Sequence, residues 1–228
     1  LEVSHLLFEN RQEALDKLLD VIALQNLWLD SSVIVATSFD GLYFADSLAK
    51  KLKLRLDYLF TQTICAPLNN ECQIAIVSEE LDIVMNENLI NSFEISLDYV
   101  YGEAKRQYEE NILQARYKYR KGEPLTTLKD KDVLLIDQGI HTGLTALCAI
   151  KTCINLGARS VRVATPILPT SVCEELKQVC DDVLYVESIE HFVQVGHYYR
   201  ELPPIDAKLI EEILQSSLQT QHKGFLEQ

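Results

Sequence analysis

Apolar residues in this chain gather in short unbroken runs. Residues 133–136 are four apolar side chains in a row, closed by Asp137. A strand covered on both faces reads this way, whereas a strand with one wet face alternates. Similar runs occupy 32–37, 56–61, 160–165 and 182–186. Helical spacing fills the gaps between them: 42–52, which ends in lysines, and 144–156, which Gly157 stops. Strand and helix alternate from Val33 to Val186, and that order predicts a parallel, doubly wound α/β sheet.

The pattern changes in the middle and at the ends. Residues 73–77 and 81–85 read as a hairpin around Ser78-Glu79-Glu80. A short helix is expected over 86–91. A long polar helix follows from 97 to about 120, with Glu103, Arg106, Glu109 and Glu110 turned outward and Lys118, Arg120 and Lys121 as surface charge. Residues 121–124, Lys-Gly-Glu-Pro, break it. At the N-terminal side, residues 7–24 form a helix with Asn10 as N-cap and Glu13 as its capping-box partner. Residues 166–169 read as a turn, Ser171 as the cap of a helix through Val179, and 206–218 as the last helix. The polar segment 219–228 is expected to fray. The whole, 1–228, is one domain in which about 66–121 is an inserted flap and arm.

The chemistry gathers after the 133–136 strand. Asp137 stands at its carboxyl end, where open α/β sheets bind ligands. The turn Gly139-Ile140-His141-Thr142-Gly143 and the helix that begins near Thr145 make a phosphate cradle. Turn N–H groups and a helix N-terminus point at an anion, glycine allows close approach, and Thr142 and Thr145 add hydroxyl donors. A Walker loop is excluded, because no Gly-Lys-Ser/Thr ending is present.

This stretch resembles the phosphoribosyl-diphosphate (PRPP) loop of the type I phosphoribosyltransferases. That loop has an apolar run, two acids, three variable residues and Thr-Gly-small-Thr. Asp137 fills the first acid position and Thr142, Gly143 and Thr145 the phosphate positions. Gln138 replaces the second acid and Leu144 the small residue. Phe8, Asn10, Arg11 and Ala14 match the opening pattern of a bacterial branch of that family. So does the Val195-Gly196-x-x-Tyr199 segment near the other end. The resemblance implies a type I phosphoribosyltransferase-like sheet flanked by helices, with an inserted hairpin and long-helix arm and a small hood.

It also implies an activity: transfer of the phosphoribosyl group of PRPP to a nucleobase-like acceptor, with release of pyrophosphate. Gly139, Ile140, His141, Thr142, Gly143 and Thr145 would hold the 5-phosphate. Asp137 and Gln138 would meet the ribose. Asp137 and His141 would be the catalytic pair, His141 as general acid or base on the acceptor. Mg²⁺ is implied but weakened, with Asp137 reaching it only through ribose or water. The pyrophosphate loop maps to 38–41, where Phe39 takes the arginine position, Asp40 the first glycine position, and Gly41 is kept. Gln62-Thr63 stand where the branch has Arg-Lys. These departures support a second reading, a non-catalytic nucleotide or ribose 5-phosphate binding or regulatory protein on the same fold.

Composition narrows the partners. The net charge is −13 and 47% of residues are hydrophobic. That acidity argues against nucleic acid, since no basic patch offsets it. No run is long enough to span a membrane and no signal-peptide pattern opens the chain. The six cysteines form no CxxC pair, which fits reduced thiols and a cytoplasmic setting. The expected partner is a small phosphoribosyl ligand. Tyr99, Tyr101 and Tyr108 leave a homodimer open.

Overall fold

The structure is a computed structural model that describes residues 6–24 and 32–226, with side chains as far as residue 219. In chain order it runs α1 (Arg11–Leu24), β1 (Ser32–Ala36), α2 (Leu42–Leu52), β2 (Arg55–Tyr58), β3 (Thr61–Ala66), β4 (Asn69–Ser78), β5 (Ile83–Met85) and α3 (Glu87–Ser92). Then come α4 (Leu97–Gln107), a π turn (Tyr108–Ile112), α5 (Leu113–Arg120), β6 (Asp132–Ile136), α6 (Leu144–Asn155), β7 (Ser160–Pro169), α7 (Thr170–Leu176), β8 (Asp182–Ile189), a 3-10 turn (Val195–Tyr198) and α8 (Ala207–Leu226).

Five strands form a parallel sheet in the order β2-β1-β6-β7-β8. Its unbroken apolar runs are explained by two cores. Val33, Val35, Val133 and Leu135 face one, with Ala149, Ile150 and Leu176 from α6 and α7. Ile34, Ala36, Leu134 and Ile136 face the other, with Leu15, Phe44, Leu48 and Leu214 from α1, α2 and α8. Successive side chains on a strand point to opposite faces, so both parities must be apolar here. All six cysteines are free. Burial pushes the Cys148 and Cys153 thiols up to about 12, so both stay protonated.

A second, antiparallel sheet β3-β4-β5 carries the inserted segment. The strand expected over 56–61 is therefore two strands. β2 stays in the parallel sheet, Leu59 donates to the Ala36 carbonyl at 3.1 Å, and the chain crosses to the second sheet at Phe60. The expected 73–85 hairpin is present, and β3 adds a second one before it. Asn86 caps α3 by accepting from Leu89 N–H at 3.1 Å. The long polar helix is continuous through its π turn, but Tyr99 and Tyr108 pack against the core and only Tyr101 is well exposed.

Three further expectations are corrected. The 166–169 turn is strand: β7 continues to Pro169, paired with Ile189, and the ladder skips Pro166, which has no N–H to give. α7 starts at Thr170 after Pro169 and ends at Leu176, so Ser171 lies inside it rather than capping it. Arg120 is not surface charge. It is 1% exposed, ion-paired to Glu79 and 3.5 Å from Asp57. α8 runs through Gln219 to Leu226, and the last two residues of the expected frayed tail lie outside the described residues. Asn10 caps α1 as expected, its Oδ1 accepting from Glu13 N–H at 3.0 Å, but the Glu13 carboxylate accepts at 2.6 Å from Glu9 N–H rather than from Asn10 N–H. Among the described residues no helix is long and apolar enough to cross a membrane.

Candidate functional site

The carboxyl ends of β1 and β6 lie side by side, and the turns that leave them form a cleft of about 300 Å³. Asp40, Asp137, Gln138, Gly139, Ile140, His141, Thr142, Gly143 and Thr145 all line it. Of the residues expected at the site, only Gly41 stands behind the wall. Ser38, Gln73, Ala146 and Val195 complete the lining.

Backbone packing dictates the glycines. A Cβ on Gly41 would lie 2.9 Å from the Ile136 carbonyl oxygen, so the two turns meet only without one. A Cβ on Gly139 would lie 2.6 Å from Val195 Cγ1. Gly143 has φ of 77° and caps α6, and a Cβ there would lie 2.7 Å from Val172 Cγ1. That left-handed conformation lifts the helix start toward the cleft. Ile140 N–H donates to the Ile167 carbonyl at 3.0 Å and pins the loop to β7.

Asp137 is half-buried and fully engaged. Its Oδ2 accepts from Thr37 Oγ1 at 2.7 Å, and its Oδ1 accepts from Ser38 Oγ and Gln138 N–H, each at 2.7 Å. Burial raises its carboxyl above the ordinary range, while Ser38, Thr37 and the N–H groups of Gln138 and Gly139 pull the other way. The carboxylate thus ties the β1 turn to the β6 turn. Thr142 and His141 are exposed. Thr142 Oγ1 donates to Gln73 Oε1 at 3.2 Å, and Gln73 Nε2 donates to Thr63 Oγ1 at 3.1 Å. The His141 ring lies 5.6 Å from Phe192 of the segment before the 3-10 turn.

No protein-family model matches the chain. It is 25% identical over 194 residues to a provisionally named phosphoribosyl transferase of Mycobacterium tuberculosis, found in two strains. The match takes 85% of this chain and 43% of that protein, so the chain spans less than half the length of the curated relatives it matches. It is 27% identical to a Thermus thermophilus protein of known crystal structure, with a TM-score of 0.73, covering 92% of this chain and 98% of that one. The chain is thus similar in sequence to a protein named as a phosphoribosyl transferase, and its fold is similar to that of the Thermus protein.

The turn that the resemblance assigns to pyrophosphate departs from the family pattern in its chemistry. Phe39 occupies the arginine position and turns away. It stacks on Tyr58 with ring centroids 4.9 Å apart and planes at 10°, next to Tyr119. Asp40 points outward, its side chain 56% exposed. Gln62 and Thr63 lie outside the cleft lining, although Thr63 reaches it through Gln73.

Gln138 is buried and its Oε1 accepts from Arg11 Nε at 2.6 Å. Its carbonyl accepts from the Tyr199 hydroxyl at 3.1 Å. Tyr198 and Tyr199 are both buried. These contacts test the Mg²⁺ that the resemblance implies. A hard divalent cation needs oxygen donors free to turn toward it. Both Asp137 oxygens already accept hydrogen bonds, Gln138 is uncharged, and its oxygen faces a guanidinium. Among the described residues no group of three or more His, Cys, Asp or Glu is arranged to hold a metal ion. The donor set at 137 and 138 does not fit a metal held by the protein.

Sequence reasoning missed Gln73, Val195 and Arg11 as site residues. Gln73 carries no local signal, since it reaches the cleft only through strand pairing, and Val195 stood out only within the Val-Gly-x-x-Tyr segment, with nothing along the chain to place it against Gly139. Arg11 did stand out, within the Phe-x-Asn-Arg opening, but nothing along the chain placed it beside Gln138.

Proposed function

We propose that the protein binds a ribose 5-phosphate-containing ligand in this cleft and transfers its phosphoribosyl group from PRPP to a nucleobase-like acceptor. The observation that carries the reading is the Gly139–Thr145 turn: two glycines whose Cβ would collide, two threonines, and the start of α6, all opening into one cleft. The 5-phosphate lies in that turn, against backbone N–H groups and the hydroxyls of Thr142 and Thr145. The cleft volume is at the low end of ordinary small-molecule sites.

In the transfer step a nitrogen of the acceptor attacks C1 of the ribose. The C1–O bond to the diphosphate breaks, and its electron pair leaves with the pyrophosphate. C1 gains positive charge on the way. Asp137, fixed by Thr37 and Ser38 below the ribose position, places its negative charge near that centre without having to reorganise. His141, exposed at the cleft edge beside Phe192, takes the proton that the attacking acceptor nitrogen loses.

One observation favours the second reading, a non-catalytic nucleotide or ribose 5-phosphate binding protein. The cleft lining holds two carboxylates and neither lysine nor arginine. Two measurements separate the readings. Calorimetric titration of ribose 5-phosphate into the parent and into Thr142→Ala/Thr145→Ala tests the cradle. Removal of two hydroxyl donors to a charged phosphate lowers affinity by about tenfold or more. Equal binding by parent and double variant would remove the cradle assignment. A pyrophosphate-release screen across nucleobases then tests transfer, and binding without release by any acceptor would favour the second reading.

A further inference from the structure

We infer that Arg11 binds the anionic leaving-group end of the ligand, in place of the turn arginine and the metal that the family resemblance implies. The inference rests on the phosphoribosyl reading above and deepens it. It makes the substrate a ribose 5-phosphate with a diphosphate at C1, held there by a guanidinium rather than through Mg²⁺.

Arg11 is the first residue of α1, and its side chain stands directly behind the lining residues Gln138 and Asp40. Nε donates to Gln138 Oε1 at 2.6 Å and Nη2 to the Pro203 carbonyl at 2.8 Å. Both acceptors are neutral, so neither cancels the charge. Nη2 also lies 3.9 Å from Asp40 Oδ1, beyond hydrogen-bond reach. Gln138 and Asp40 both line the cleft, one at the ribose position and one at the pyrophosphate turn. The guanidinium therefore contacts one lining residue and lies 3.9 Å from the other, so its charge reaches the ribose and pyrophosphate ends of the cleft from behind the lining. Its side chain is only 13% exposed, against 56% for Asp40. Partial burial strengthens its field, and the planar fork suits a phosphate.

The identity of residue 138 decides whether that charge is available. An acid there, as in the family pattern, would take Arg11 in a bidentate pair and neutralise it. Glutamine holds the same guanidinium through one hydrogen bond and leaves its charge intact. The carboxylate instead stands at Asp40, on an exposed turn. There water screens it, and a polyanion competes with it for Arg11. The same arrangement keeps a divalent cation out, because the free amide oxygen it would use is already bound to Arg11.

The test is calorimetry with ribose 5-phosphate and PRPP, each in EDTA and in Mg²⁺, on the parent, Arg11→Gln, Arg11→Lys and Asp40→Asn. In the parent, PRPP should bind tighter than ribose 5-phosphate in EDTA, with little change on adding Mg²⁺. Arg11→Gln should weaken PRPP about tenfold or more and shift ribose 5-phosphate by less than about twofold. Arg11→Lys should fall between, keeping the charge but losing the fork. Asp40→Asn alters an exposed side chain, leaves the fold alone, and should tighten PRPP. Equal losses of both ligands in Arg11→Gln would make Arg11 a structural link between α1 and Pro203, and would overturn the inference. So would PRPP binding that matches ribose 5-phosphate in EDTA, or an Asp40→Asn protein with unchanged PRPP affinity. If neither ligand binds the parent, the phosphoribosyl reading fails and takes this one with it. Intact ribose 5-phosphate binding with no PRPP preference overturns the Arg11 role alone.

Discussion

Arg120→Met is the most demanding test of the fold. Arg120 ends α5 and is 1% exposed, and Glu79 and Asp57 beside it are each 2% exposed. The guanidinium pairs with Glu79, comes 3.5 Å from Asp57, and lies 4.9 Å over the Phe60 ring. Glu79 Oε1 also accepts from Phe60 N–H at 3.0 Å, and Asp57 accepts from Tyr58 N–H at 2.8 Å and Thr126 N–H at 2.7 Å. The cluster therefore ties together β2, the β4–β5 turn, the arm and the segment leading to β6. Methionine fills similar space but strands two buried carboxylates. Breaking a buried ion pair from one side typically costs about 3–5 kcal/mol. A domain of this size shifts by roughly 2–4 °C per kcal/mol, so the melting temperature should fall on the order of 10 °C at neutral pH. Thermal melts followed by circular dichroism measure it, with urea unfolding as a check. The sign with pH is also fixed. Burial pushes the Glu79 carboxyl above its ordinary range, and Arg120 is the largest pull back. A raised acid contributes stability below its unfolded value and loses it as pH rises through the folded value. Without Arg120 the folded value climbs further, so the gap between variant and parent should widen as pH rises from the ordinary carboxylate range. A variant melting within about 2 °C of the parent at neutral pH would refute the reasoning and return Arg120 to the surface.

Two predictions concern the loop. Gly143→Ala forces a side chain into φ of 77° and within 2.7 Å of Val172 Cγ1. It should destabilise the protein by at least about 1–2 kcal/mol and weaken ribose 5-phosphate binding, measured by melting and by titration. Undiminished binding would show that the close approach at α6 is not what holds the phosphate. His141→Ala should leave ribose 5-phosphate affinity unchanged and lower kcat by about 10²–10⁴, with loss of one limb of the pH–rate profile. An unaltered profile would remove His141 from the proton transfer.

How far the sequence reached depends on how local each feature is. The parallel strands were legible because a strand buried on both faces must be apolar at both parities, as Val33–Ala36 and the run before Asp137 are. The loop was legible because glycine spacing and threonines encode its conformation within nine residues of chain. Features made by distant partners were not. Arg120 reads as the end of a polar helix, and its partner Glu79 is 41 residues away. Arg11 and Gln138 are 127 apart, and Thr142 and Gln73 are 69 apart. Pro166 and Pro169 mimic a turn, yet pairing with β8 holds that segment extended, since proline's fixed φ suits an extended chain wherever no N–H is demanded.

The departures at 39, 40 and 138 gain a common logic once Arg11 is beside them. Taken singly, Phe39, Asp40 and Gln138 each remove something a diphosphate or its metal would use. Taken together, they keep two acids in the cleft lining but change which one the cation meets. At 138 an acid would sit in the buried pair with Arg11 and cancel it. At 40 it sits exposed, 3.9 Å from Nη2, where screening limits what it can cancel. Phe39 packs on Tyr58 and Tyr119 beside the turn that carries Asp40. In a chain of net charge −13, a polyanion gains nothing from the overall field. On the phosphoribosyl reading proposed above, its binding would come from directed groups: the loop's N–H donors and hydroxyls at one end of the ribose, and a single guanidinium held by a neutral amide at the other.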